Sequence, residues 1–497
     1  MKKLLSLILT VCLLALLASC GPADGQTNED TDNGSSGNVT AEPESESASS
    51  ETDNGPEESE PSVQTEDHAD PDTEVAPPDS GDAGENGEET DSGYAAAEKI
   101  VFSTTQGAMV YNSSEPDKCA IIVDTDEKVT ITMPTVSKTG DSDGGDECSF
   151  YGRNAAVLVM GGSDTMIIGG TVDTDAEGAN AVFCYGGGGS EPGKASEGDG
   201  TTVTVTDTAI TTSGNGSGGI MTTGGGIMNA YNLSVTTRGN SSAPIRTDRG
   251  GGTVNVEGGT YLSSGLGSPA IYSTAEVSVK EASLTSEKSE GIVIEGRNSV
   301  SLEDCELSAS NTERNGNARF LDTVMIYQSM SGDAEAGKAV FSMKGGSITS
   351  SSGHVFHVTN TEAEINLEGV GITNEDESGV LISVCDDGWS GAANSAVLNA
   401  VDQELSGAVL VGKGSSLEFT LSGESSFEGF IGGNISDAAG SAVSEEAGEV
   451  KVTLGEGCTW NLTADSYITK FEGKASDIKA NGFKVYVDGE ELTGTGK

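Results

Sequence analysis

The stretch PIRTDRGGGTVNVEGGTYLSSGLGSPAIYSTAEVSVKEASLTSEKSEGIVIEGR, from Pro244 to Arg297, holds the fold in miniature. Three apolar openings, at Pro244, Ala270 and Gly291, stand 26 and 21 residues apart. Each leads through a Gly or polar turn into a second, alternating strand, then through another turn into a short third strand rich in Thr and Ser. Apolar and polar residues alternate within the strands, which is the period of a β-strand with one buried face.

The same opening recurs outward in both directions. It reads AVLVMGG from Ala156, AVFCYGG from Ala181, GIMTTGG from Gly219, VMIYQS from Val324, HVFHVTN from His354 and VLISVCDD from Val380. The third strands carry one apolar residue each before Thr or Ser in most copies: Val172, Ile210, Val235, Tyr261, Leu284, Leu307, Ile348 and Ile372. A repeat of about 22 residues rich in Val, Ile, Thr and Gly, with no helical run, predicts an all-β solenoid of three-strand coils stacked in parallel about 4.8 Å apart. The Leu and Asn spacing of a leucine-rich repeat is missing. Four aliphatic side chains per coil, at roughly 1.5–3 kcal/mol each, supply on the order of 10 kcal/mol gross per coil before entropy.

In FYGRNAAVLV (Phe150–Val159), PIRTDRGGGTVNVEGGTY (Pro244–Tyr261), VIEGRNSVSL (Val293–Leu302), VMIYQSMSGDAE (Val324–Glu335) and VTNTEAEINLEGV (Val358–Val370), the chain resembles right-handed parallel β-helix surface proteins of the pectate-lyase-like superfamily, notably secreted, adhesin-like bacterial ones. The resemblance spans most of residues 100–490. It implies the fold, and leaves activity open because that superfamily contains lyases, hydrolases and binders.

The amino terminus reads as an address. Lys2 and Lys3 precede an apolar run from Leu4 to Leu17, too short for a spanning helix. Leu17-Ala18-Ser19-Cys20-Gly21 resembles a bacterial lipobox, which implies a signal peptide over 1–19 and lipidation of Cys20. Residues 21–98 hold 24 Asp and Glu, no Lys or Arg, and 7 of the 12 prolines. Such a segment buries too little apolar surface to fold, so 20–98 is expected to be a disordered acidic tether, with the β-helix over 99–497 and a cap from about 450. The expected location is extracytoplasmic, with membrane contact through the lipid alone.

A net charge of -54 excludes nucleic acid as a partner. Six cysteines remain beyond Cys12 and Cys20, without a CxxC pair; Cys119 with Cys148 is the one candidate disulfide. Outward positions of the first strands carry the chemistry: Arg246, Asp248 and Arg249, then Tyr272, Glu295 and Arg297, Tyr327 and Gln328, with His357 and Asn360 beyond. Such a row predicts an open groove for a polysaccharide or surface glycan, with Tyr faces for stacking and Arg forks for carboxylates. The competing reading is an ion-pair ladder between coils.

Asp248 and Glu295, two coils or roughly 10 Å apart, stand at the outer limit for an inverting glycosidase pair. A lyase or glycoside hydrolase is therefore the second reading, a passive stalk the third, and a non-enzymatic adhesin the first. No cofactor is expected, except Ca2+ if Asp141, Asp143 and Asp146 gather on their Gly-rich turn. Three histidines are too few for a transition-metal site, and no Ser-His-Asp set is apparent. Trp389 beside Asp386 and Asp387 is expected either to stack on a sugar or to plug the core. Period-breaking loops near 186–200, 311–322, 331–338, 386–395 and 434–448 are the expected seats of specificity.

Overall fold

The computed structural model describes residues 93–496 except 190, 317 and 390. The expected signal peptide, Cys20 and the expected tether up to residue 92 lie outside the described residues. The described chain is a parallel β-helix. Its first strand in each coil joins a 15-stranded sheet, here sheet A, and its second and third strands share a 22-stranded sheet, sheet B. All nine openings found in the sequence are strands of sheet A.

Register is set by the apolar ladders. Ile220, Ile245, Ile271, Ile292, Val324, Phe356 and Ile382 are successive partners in sheet A and are buried. Val172, Ile210, Val235, Tyr261, Leu284, Leu307, Ile348 and Ile372 form the matching ladder of third strands. A slip of one residue would expose either whole row, so burial specifies one pairing.

The corner between second and third strands turns on a residue in the left-handed region, followed in some coils by a second, as in Gly169-Gly170, Gly258-Gly259 and Gly345-Gly346. Met133, Asp207, Asn232, Glu281, Asp304 and Asp402 adopt it, and Gly169, Gly258, Gly345, Gly369 and Gly423 hold it in the others. Asp and Asn tolerate this conformation better than other side chains, which accounts for the acidic or Gly turn of the repeat.

Several expectations change. Sheet A begins with Ala95–Ile100, paired to Lys118–Asp124, so the expected tether overlaps the first coil. A short helix, Gly145–Tyr151, interrupts the strands and ends at Gly152 (φ 70°), where a Cβ would meet the Phe183 ring at 2.8 Å. Three-strand coils persist only to Gly371–Asn374. From Glu404–Val411 the third and first strands run on as one, and Gly407 (φ 121°) replaces the intervening loop. Stacking also continues past 450, through Glu449–Leu454 and Thr459–Leu462 to Lys470–Glu472 and Ile478–Lys479. Cys119 and Cys148 are free, buried thiols rather than a bridge; Cys119 Sγ faces the Gly152 and Arg153 carbonyls, and Cys148 Sγ faces Ser142.

Unlike the outer face of sheet B, much of the outer face of sheet A is covered. At one end Cys119, Ile122, Ala155, Leu158, Phe183 and Met221 form an apolar layer beside the helix, and at the other Phe320, Val380, Cys385, Ala408, Leu410 and Ile435 form a second. A polar strip lies between them.

Candidate functional site

The polar strip contains the residues singled out in the sequence, and it brings them together under cover. Arg246, Tyr272, Glu295 and Tyr327 project from the outer face, as the alternation requires, but Glu295 is 0% exposed, Asp248 5% and Gln328 9%. The open row of charges expected from the sequence is therefore a closed network. The loop 328–337 folds over it, a return that alternation cannot reveal.

Each arginine is engaged. Arg246 Nη2 donates to Asp248 Oδ2 at 3.0 Å and to Ser149 Oγ at 3.2 Å. Arg249 donates twice to Asp333 Oδ1, at 3.1 and 2.7 Å, with its guanidinium 4.1 Å from the Phe150 ring centroid. Arg297 pairs with Glu335 at 3.0 Å near the surface. The Arg forks expected for a ligand carboxylate thus serve the protein, but not as the ladder between coils: Asp248 belongs to Arg246's own coil, and Asp333 and Glu335 come from the loop 328–337.

Glu295 is the centre of the network. Its Oε2 accepts Tyr272 OH at 2.6 Å and Tyr327 OH at 3.3 Å, while Oε1 accepts the Ser329 hydroxyl. Burial pushes this carboxyl above its ordinary range despite the three donors, and burial together with Glu295 holds both tyrosines well above theirs. A buried carboxylate with three hydroxyl partners fixes their rotamers. Tyr327 in turn meets Trp389 edge to face, 5.4 Å between ring centroids. Both residues are partly exposed, so the network is a rigid support for an aromatic pair.

Asp248 carries a testable consequence. Burial, opposed by Arg246 and reinforced by Asp333 and Glu295, pushes its carboxyl up to about 7. An unfolded Asp titrates near 3.9, so between about pH 4 and 7 the folded state holds the extra proton. The stability it contributes is complete below that window and is lost as pH rises through it. Asp248→Asn should gain on the wild type over this range, by up to about 1.4 kcal/mol per pH unit. Denaturation at pH 4, 5.5 and 7 checks this, and a difference independent of pH would contradict it.

The expected Ca2+ site is not assembled. Asp141, Asp143 and Asp146 are exposed, Asp141 accepts the Glu177 N–H at 2.9 Å, and Asp146 lies in the first turn of the helix. Among the described residues no three His, Cys, Asp or Glu side chains are placed to hold a metal ion.

Sequence reasoning missed a second cluster. His357 and Ser383 are partners on adjacent strands of sheet A. Ser383 Oγ lies 2.8 Å from Nδ1 of both His354 and His357, and His357 Nε2 lies 3.4 Å from Asp387 Oδ2. Thr359 donates to Asp387 Oδ1 at 3.0 Å. Asp322, the strand partner of His354, keeps Oδ1 without a hydrogen-bond partner, and burial beside Glu290 and Asp387 raises its carboxyl well above the usual range. A Ser-His-Asp set is thus present, against the expectation. Aligning HVFHVTN with VLISVCDD already pairs His357 with Ser383. His354, three positions away on the same strand, breaks the alternation, and Asp387 arrives from a loop.

No protein-family model matches the chain, and neither a curated protein nor a solved structure matches it.

Proposed function

We propose that this chain is a lipid-anchored surface protein of pectate-lyase-like type that binds a glycan without cleaving glycosidic bonds, at the Tyr327–Trp389 pair on the outer face of sheet A. The observation that carries the reading is this pair: two partly exposed aromatic residues, one fixed from below by a buried carboxylate. An aromatic face held in place binds a sugar ring at low entropic cost, because the Tyr327 side chain does not have to be ordered on binding. The carboxylates nearby are already partnered, Asp248 by Arg246 and Glu295 by three hydroxyls, which favours binding over acid–base attack on a glycosidic bond. With the arginines also paired, the preferred ligand is an uncharged glycan rather than a polyuronate.

A glycan array probed with the mature chain tests this. Binding should concentrate on neutral polysaccharides, with sugar composition unchanged after incubation. A chain that binds nothing, or releases shortened oligosaccharides, would defeat the reading. Anchoring makes a separate prediction: Cys20→Ala should be exported yet recovered in the medium, because the lipid is the only proposed attachment. Retention in the membrane fraction would remove the lipoprotein assignment.

A further inference from the structure

The histidine cluster has a proton arrangement that its contacts determine. With Asp387 Oδ2 as the acceptor, His357 Nε2 is the donor between them and, in a neutral ring, its Nδ1 is a bare acceptor. Ser383 has one hydroxyl proton and two Nδ1 neighbours at 2.8 Å. It therefore donates to His357 Nδ1 and accepts from His354 Nδ1–H. His354 is kept neutral, its pKa pushed down to about 3 by burial and by His357, so it has a single proton and spends it on Ser383. The result is one directed chain: His354 N–H to Ser383 Oγ, Ser383 O–H to His357, His357 N–H to Asp387, with Thr359 fixing the far carboxylate oxygen.

Such a chain is more than a buried polar group requires. A serine in a sheet is satisfied by one backbone carbonyl, as Ser113 is by Lys118 O at 2.6 Å. Here a hydroxyl is aligned with a base, and that base with an orienting carboxylate, which is the arrangement that activates a nucleophile. The Phe320 side chain packs against both of its histidines. The Phe320 ring lies 4.4 Å from His357 and 5.3 Å from His354, centroid to centroid. Arg319, the preceding residue, holds that loop by two hydrogen bonds to Asp437 Oδ2, at 3.1 and 2.9 Å, and its carbonyl accepts the Ala438 N–H. The ring packs among Val380, Ala408, Leu410 and Ile435. If the ring leaves, it opens an apolar space against the two histidines that Ser383 joins.

We propose that Ser383 is the nucleophile of a latent acyl-ester hydrolase site, with His357 as general base, Asp387 as its positioning residue and Phe320 as the cover, acting on esters of small acyl groups. In the step proposed, Ser383 Oγ bonds to the ester carbonyl carbon as its proton passes to His357 Nδ1. The carbon–oxygen bond to the alcohol then breaks, and the alcohol departs with that proton. Water, deprotonated by the same imidazole, releases the acid and restores the hydroxyl. No oxidant or metal is needed. The site lies on the same outer face as the aromatic pair but does not depend on glycan binding there.

The test is covalent. The mature full-length chain, Phe320→Ala, and the double variants Phe320→Ala/Ser383→Ala and Phe320→Ala/His357→Ala are treated with a biotinylated fluorophosphonate and read by peptide mass spectrometry. Phe320→Ala should be labelled at Ser383 faster than the wild type. Loss of Ser383 should abolish the label, and loss of His357 should slow it by about 10²-fold or more, as removal of a general base does. Should Phe320→Ala not fold, Arg319→Ala frees the same loop without emptying the core and takes its place in the comparison. A folded, uncovered variant with no adduct at Ser383, or with labelling indifferent to His357, would overturn the proposal and leave the cluster as a hydrogen-bonded plug.

Discussion

Trp460→Ala should destabilise the last coils by about 3–5 kcal/mol, the range for emptying a buried aromatic site. Trp460 is fully buried, stacks on Phe427 with ring centroids 5.9 Å apart, and donates its indole N–H to Gly429 O at 3.1 Å. The substitution therefore removes apolar volume and also takes from Gly429 O one of its two donors, leaving the Thr463 N–H at 3.3 Å. The strands of each of these coils pair only with those of adjacent coils, so the loss should stay local. Hydrogen exchange should show lost protection from about Ser426 onward, with the strands around Ile271 unchanged. A melting curve and exchange pattern like those of the wild type would mean that Trp460 is not the plug of this end.

Gly259→Ala should be comparably severe for a different reason. Gly259 has φ 93°, and a Cβ there would fall 2.3 Å from Leu233 O and 2.7 Å from Leu233 N in the preceding coil. Backbone strain of about 1–3 kcal/mol adds to overpacking of about 1–3 kcal/mol, and neither is relieved by rotating a side chain, because the obstacle is main chain. Its neighbour Gly258 offers the control. A Cβ at Gly258 would meet nothing closer than 3.8 Å, so Gly258→Asn, which keeps a residue type already found at this corner in Asn232, should cost much less. Denaturant midpoints of the two variants compare them, and equal midpoints would mean that the coils do not stack as closely as described.

These effects mark what could be read from the chain before its structure. The ladder from Val172 to Ile372 was legible residue by residue, because each coil repeats the same burial and alternation carries it. The side of the strand was legible as well: Ile245 and Ile292 point into the core, and Arg246 and Glu295 out of it. What alternation could not give was the depth of the outer layer. Glu295 is outward from the core and still inaccessible, because Ser329 and the loop that follows close over it. Loops have no period, so their return onto a neighbouring coil leaves no trace in the repeat. The same holds for Asp387 and Phe320, which complete and cover the histidine cluster from two different loops. The helix at Gly145–Tyr151 was hidden by its length, since a run of seven residues cannot display a helical period.

The central claim is that Tyr327 and Trp389 form a preassembled sugar platform supported by Glu295. The most direct measurement is calorimetric titration of the strongest array ligand into the wild type, Trp389→Ala and Glu295→Gln. Loss of the indole should weaken binding by about 1–3 kcal/mol, the range of an aromatic contact at an interface, while leaving the melting temperature unchanged. Glu295→Gln should weaken binding less and lower the melting temperature, because the amide nitrogen cannot accept from the hydroxyls that fix Tyr327. Affinity unchanged in Trp389→Ala would contradict the claim.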